Sequence, residues 1–186
     1  VMSVEPYQAR TLPQVVAGAA ATFGDRIAIT DGEVNLSYSE LDAARVRAAR
    51  AFIAAGLQKG DRIAIWAPNI YQWIIAAIGA QSVGGVMVPL NTRLKGPEAA
   101  YILRASDARL LFTVGDFLGV SYPDQLRDEE LPGLEQVVML SGDAEGALPW
   151  DAFLARGSAV EEDEATRRAA ELTPEDINAL WMSVQA

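Results

Sequence analysis

The sequence predicts an α/β fold built on a mainly parallel sheet flanked by helices. Three observations carry that prediction. The first is a run between Arg62 and Arg93 without one Asp, Glu, Lys, Arg or His. The second is a pair of short, wholly apolar stretches, Leu110-Leu111-Phe112-Thr113-Val114 and Val137-Val138-Met139-Leu140, of the kind found in strands buried on both faces. The third is the alternation of such strands with stretches of helical period along the chain.

Thr11 is placed to cap a helix through Leu12, Val15, Val16, Ala19, Ala20 and Phe23, with Gly24 as its stop. Ile27–Thr30 and Val34–Ser37 flank Asp31-Gly32-Glu33, which reads as a hairpin. Ser39 is the expected cap of a long helix ending at Gly56, with Leu41, Ala44, Ala48, Phe52 and Ala55 on its apolar face. Arg45, Arg47 and Arg50 are expected on its solvated side.

The charge-free run divides into three parts. Ile63, Ile65 and Trp66 suit a short strand between Gly60-Asp61 and Pro68-Asn69. Asn69 is positioned to cap a helix carrying Ile70, Trp73, Ile74, Ala77, Ile78 and Gln81, which Gly84-Gly85 stops. Val86-Met87-Val88 is a second strand closed by Pro89. Strand, helix, strand over this length is a βαβ unit with parallel strands and a right-handed crossover. A helix apolar almost all round is expected to be covered on both faces.

Beyond it, Gly96-Pro97-Glu98 opens a helix with Ala99, Ile102 and Leu103 on its apolar side. Tyr122 to Leu131 reads as a short surface helix, 141–146 as a polar loop and Pro149 to Ala155 as a helix. Acids at 161–164 ahead of Arg167-Arg168 suit the dipole of one more helix without invoking a bound cation. Thr173-Pro174-Glu175-Asp176 is a capped turn, and 177–182 reads as a last buried strand.

Composition excludes several functions. The chain has 186 residues, enough for one domain or one large subdomain, and half are hydrophobic. A net charge of −10 argues against nucleic-acid binding, which needs clustered Lys and Arg. With neither histidine nor cysteine, the chain holds no Ser-His-Asp or Cys-His machinery, no usual zinc site and no disulfide. The longest apolar run, Trp73 to Ala80, is far short of the roughly 20 residues that span a bilayer. Residues 1–5 lack the basic start and apolar core of a signal peptide, and a cytoplasmic location is expected.

Ligands of open parallel sheets bind beyond the carboxyl ends of the strands. In the βαβ unit those ends are Ala67-Pro68-Asn69 and Leu90-Asn91-Thr92-Arg93. Arg93 is the first charge after the neutral run, and a guanidinium there can fork onto a phosphate or carboxylate. An ordinary solvated loop arginine remains the alternative. No Walker loop and no Gly-x-Gly-x-x-Gly occurs. Composition and spacing lead no further than an α/β domain with an unknown ligand.

Three stretches resemble the adenylate-forming superfamily of acyl-CoA synthetases, adenylation domains and luciferases. Leu36-Ser37-Tyr38-Ser39-Glu40-Leu41 is similar to its first core motif. Gly60-Asp61-Arg62-Ile63-Ala64-Ile65-Trp66-Ala67-Pro68-Asn69 is similar to its Gly-Asp-x-Val-Ala strand, and 79–95 to its Gly-x-Val-x-Val-Pro-Leu-Asn motif. Asn91-Thr92-Arg93-Leu94-Lys95 and Trp66-Ala67-Pro68-Asn69 favour the fatty-acyl-CoA and aryl-CoA ligase branch. Within that branch the chain as a whole resembles actinobacterial acyl-CoA ligases of the steroid-degradation type. The resemblance implies that residues 1–186 are the N-terminal α/β subdomain of such an enzyme, ending just before its phosphate loop. It implies a carboxylic acid, ATP, Mg²⁺ and coenzyme A as substrates and cofactors. It also implies a C-terminal portion of the same enzyme as partner, and admits a homo-oligomer. By the same resemblance Arg93 matches an arginine that contacts the coenzyme A phosphate. Tyr38, Trp66 and Asn91 are assigned to packing and loop hydrogen bonds.

No catalytic residue and no metal ligand is expected in the chain. Ser183 is the last residue matching the approach to the phosphate loop, and the Thr-Ser-Gly-Thr-Thr-Gly run does not follow. The tail is therefore truncated or altered, and the chain alone is expected to be inert. Two other functions stand beside this one: a non-catalytic binding module that keeps the fold, and an adenylation domain that loads a carrier protein.

Overall fold

The structure is a computed structural model and describes residues 10–182. Helix α1 (Leu12–Phe23) ends at Gly24, whose φ of +50° turns the chain into the hairpin β1 (Ile27–Asp31) and β2 (Val34–Ser37). The hairpin is antiparallel and forms a sheet of its own.

Helix α2 (Tyr38–Ala54) is capped by Ser37 rather than Ser39. The Glu40 N–H donates to Ser37 Oγ at 3.2 Å and the Ser37 N–H donates to the Glu40 carboxylate at 2.8 Å. Glu40 lies three residues after Ser37, which completes this reciprocal pair. Three residues after Ser39 stands Asp42, whose carboxylate is held by Arg45 at 2.7 Å. The expectation that all three α2 arginines are solvated holds for Arg47 and fails for Arg45, which is buried. Arg45 also donates to Ser82 Oγ at 3.1 Å, joining α2 to the end of the next helix. Arg50, half-buried, donates to the Val160 carbonyl at 2.8 Å. The reason is that α2 has helices on several sides, so its polar face meets protein before it meets water.

The charge-free run folds as β3 (Arg62–Trp66), α3 (Tyr71–Gln81) and β4 (Val86–Pro89), with the strands parallel. Asn69 is not the cap of α3. The Tyr71 N–H instead donates to the Asp31 carboxylate at 3.0 Å, so a hairpin residue satisfies the helix start. Coverage on both faces holds along the second half of α3, where Ile75, Ala76, Ala77 and Ala80 are buried; Ile74 reaches solvent. A Cβ on Gly79 would lie 2.5 Å from the Ala48 Cβ, so glycine is what lets α3 lie this close to α2.

Helix α4 (Gly96–Ser106) leads to β5 (Ala108–Val114), which pairs with β3 on the side away from β4. A single turn, α5 (Tyr122–Gln125), precedes β6 (Gln136–Ser141) and β7 (Leu148–Pro149). The expected helix through Leu131 stops early. Asp128, Glu129 and Glu130 fall where its dipole would disfavour acids. Nor does it lie wholly on the surface, since Tyr122 is buried. Helices α6 (Trp150–Arg156) and α7 (Glu162–Ala170) follow, α7 with acids first and Arg167 and Arg168 last.

The five-stranded sheet is parallel throughout, in the order β4-β3-β5-β6-β7. Phe52 of α2 and Phe153 of α6 pack on Phe112 from one face. On the other, Tyr122 stacks on Trp66 with ring centres 4.3 Å apart. Residues 177–182 do not form the buried strand expected of them. Ala179 makes a single parallel bridge to Met87, while Ile177 and Trp181 are 70% and 78% exposed. One bridge at the edge of the sheet gives these side chains nothing to pack under among the described residues. Ser183 lies outside those residues.

The amino ends of the strands carry an ion-pair network. Arg109 pairs with Asp61 and Glu135, and Arg62 with Asp107 at 2.7 Å. The hydrogen bond from Arg109 holds the Glu135 carboxyl below its ordinary range. The Ser37 backbone N–H does the same for Glu40. Groups depressed in the folded state stabilise it fully above the unfolded value and lose that effect as pH falls through the folded one. Thermal unfolding followed across the acid range should therefore show Tm falling as pH drops, with a shallower fall in Glu135→Gln.

The tip of the loop after β5 predicts a stabilising change. Phe117 and Val120 exchange hydrogen bonds at 3.0 and 3.1 Å around Leu118-Gly119, both with positive φ. This is a type I′ pattern, which favours Asn-Gly. Leu118 has φ +55° and is 86% exposed, so it carries backbone strain without packing in return. Leu118→Asn should raise stability by about 1 kcal/mol, the order of the left-handed penalty for a branched side chain, measured by denaturant titration.

Candidate functional site

The chain leaves β3 for β4 in one direction and β5 for β6 in the other. That reversal makes a switch point between β3 and β5, where the strand ends separate. A cleft of about 690 Å³ opens there. Ala67-Pro68-Asn69 follow β3 on its wall, Leu90-Asn91-Thr92 follow β4, and Phe117 follows β5. Trp73 of α3 and Trp181 also line it. Among the described residues the lining is apolar apart from Asn69, Asn91 and Thr92, and it carries no ionisable carboxylate or base.

Arg93 is exposed and sits between two lining residues, Thr92 and Leu94, without lining the cleft itself. Its N–H donates to Asn91 Oδ1 at 2.9 Å, an Asx-type turn. Among the described residues its guanidinium has no hydrogen bond or ion pair. Other described arginines, Arg47 and Arg156 among them, are unpaired too; what sets Arg93 apart is a free fork beside the cleft, able to take an anion.

The loop that carries Arg93 rests on two aromatic rings. Trp66 Nε1–H donates to the Asn91 carbonyl at 3.0 Å, and Tyr122 Oη–H donates to the Thr92 carbonyl at 3.0 Å. Burial pushes the Tyr122 phenol up, so it remains a protonated donor at neutral pH. Gly96 N–H, beyond Arg93, donates to Gln125 Oε1 at 3.0 Å. The packing and loop-bonding roles expected of Trp66 and Asn91 are present, and Tyr38 packs on Phe23 with ring centres 5.1 Å apart. Tyr122 and Gln125 were not legible as site residues. Nothing in their spacing links them to a loop some thirty positions earlier; Gly96 is the one sequence hint, because a Cβ there would meet the Gln125 carbonyl at 2.0 Å.

Among the described residues no three acidic side chains gather to hold a metal ion. No helix among them is long and apolar enough to cross a membrane.

The AMP-binding enzyme family matches residues 16–181. The chain belongs to that family. A relative from Rhodococcus jostii (strain RHA1), named 3-[(3aS,4S,7aS)-7a-methyl-1,5-dioxo-octahydro-1H-inden-4-yl]propanoyl:CoA ligase, is 38% identical over 178 residues, covering 92% of this chain and 34% of that protein. The ligase of the same name from Mycobacterium tuberculosis (strain ATCC 25618 / H37Rv) is 35% identical over 169 residues, covering 91% of this chain and 33% of its own. Among solved structures, a Mycobacterium tuberculosis fatty acyl CoA synthetase superposes with a TM-score of 0.74 at 23% identity, over 94% of this chain and 33% of that one. That likeness concerns the fold, a parallel sheet flanked by helices as in CoA ligases. The chain spans about a third of the length of the curated relatives it matches.

Proposed function

We propose that residues 1–186 are the N-terminal α/β subdomain of an ATP-dependent, AMP-forming acid–CoA ligase. The family match across 16–181, at about a third of the relatives' length, is the observation that carries this reading. The parent enzyme would join a carboxylic acid to coenzyme A through an acyl-adenylate, with Mg²⁺, in the cytoplasm. The remaining, C-terminal portion of that enzyme is the partner of this surface.

The residues present fit one of these groups and not the others. Arg93 fits a phosphate of coenzyme A: its guanidinium is exposed, unpaired among the described residues and next to the cleft at the strand ends. When bound, coenzyme A supplies the thiol that takes the acyl group. Arg93 would hold one of its phosphates by charge-assisted hydrogen bonds, and the apolar cleft wall beside it would exclude water. A triphosphate cradle does not fit here, since the chain contains no glycine-rich phosphate loop. No step of adenylation is therefore assigned to these side chains. Their work is to shape the wall and to place one cation.

This chain alone should show no ATP–pyrophosphate exchange, while a form extended past Met182 through a phosphate loop should exchange with one member of a carboxylic acid panel. Silence of the extended form across the panel would sink the ligase reading. In that form Arg93→Ala should raise the coenzyme A KM about tenfold, the loss expected for a charge-assisted contact, with the ATP KM unchanged. An unmoved coenzyme A KM would withdraw Arg93 from the site.

A further inference from the structure

We infer that α5 and Trp66 form a clamp that holds the Arg93 loop in its binding geometry, with Tyr122, Gln125 and Trp66 as positioning residues. The inference rests on the reading of Arg93 as the contact for a coenzyme A phosphate. Three tertiary hydrogen bonds bracket Arg93. Trp66 Nε1–H and Tyr122 Oη–H fix two successive carbonyls before it, at Asn91 and Thr92, each at 3.0 Å. Gln125 Oε1 fixes the Gly96 N–H after it, also at 3.0 Å. The two donors are themselves locked together, their rings 4.3 Å apart and 15° from parallel. Both are buried, so neither is free to turn away.

The loop adds its own restraint. Asn91 Oδ1 accepts from the Arg93 N–H at 2.9 Å, and the Asn91 carbonyl accepts from the Leu94 N–H at 3.1 Å. On the far side, α5 meets the start of α4 so closely that Gly96 has no room for a Cβ. The backbone on both sides of Arg93 is thus fixed by partners from β3 and α5, while its side chain is left without one among the described residues. A long cation on a fixed base loses less freedom on binding than one on a loose loop, and the affinity gain comes from that pre-organisation. A four-residue turn such as α5 has little helical stability of its own, which makes its two tertiary bonds to this loop its principal visible role.

Limited trypsin digestion of this chain reads the clamp directly, through cleavage after Arg93 relative to cleavage after exposed Arg156. Tyr122→Phe and Gln125→Ala each remove one bond and keep the packing largely intact. Each should speed cleavage after Arg93 about fivefold, the factor one neutral hydrogen bond is worth, with Arg156 unchanged. Equal rates in wild type and both variants would overturn the clamp. In the extended enzyme, Tyr122→Phe should raise the coenzyme A KM about threefold to fivefold and leave the ATP KM and the exchange rate in place. If the loop loosens and Arg93→Ala weakens coenzyme A while Tyr122→Phe does not, the clamp does not serve binding and the inference fails. If Arg93→Ala itself has no effect on coenzyme A, it is the reading of Arg93 that has failed, whatever the digestion shows.

Discussion

Burial of β3 on both faces is the constraint from which the rest of the structure follows. Ile63 and Ile65 point to one layer of helices and Ala64 and Trp66 to the other, and all four are fully buried. A strand in that position tolerates no charge along its length, so polar chemistry is displaced to its ends. At the amino end stand Arg62, Asp61 and their partners, neutralised among themselves. At the carboxyl end stand the amides and carbonyls of 67–69 and 90–92 and the Arg93 guanidinium, unpaired among the described residues. The two ends therefore differ in kind: one is closed by ion pairs that anchor the sheet, the other is left able to meet a ligand.

That asymmetry explains what was legible in the sequence. The missing charges between Arg62 and Arg93 mark the buried unit, and the Gly, Pro and Asn boundaries mark its elements, because both signals are local. The family resemblance was legible for the same reason, being carried by contiguous motifs within 36–41, 60–69 and 79–95. The capping of α3 by Asp31 was not legible. It depends on the hairpin folding back onto the helix start, and Asn69 offered a nearer and chemically adequate acceptor. Arg45 misled in a similar way: charge predicts exposure only where water is available, and α1, α3, α6 and α7 all pack on α2.

Part of the candidate site was legible too. The strand exit at Leu90–Arg93 follows from topology alone, and Arg93 follows from being the first charge beyond it. Its surroundings were hidden, because Tyr122 and Gln125 reach it from a turn that sequence assigned to the surface. The misplacement of 177–182 has a different origin. Apolar composition made the segment resemble a buried strand, but burial needs a covering layer, and the described residues supply a single bridge instead.

Gly79 gives the cleft a dimension set from behind. The helix that carries Trp73 into the cleft wall is seated against α2 at the one place where the intervening side chain is absent. Interiors are too densely packed to absorb an added methyl without movement. The calibre of the opening is thus determined at a point that faces the core and touches no ligand. Sequence change on the hidden side of α3 is as able to retune the mouth as change on its rim.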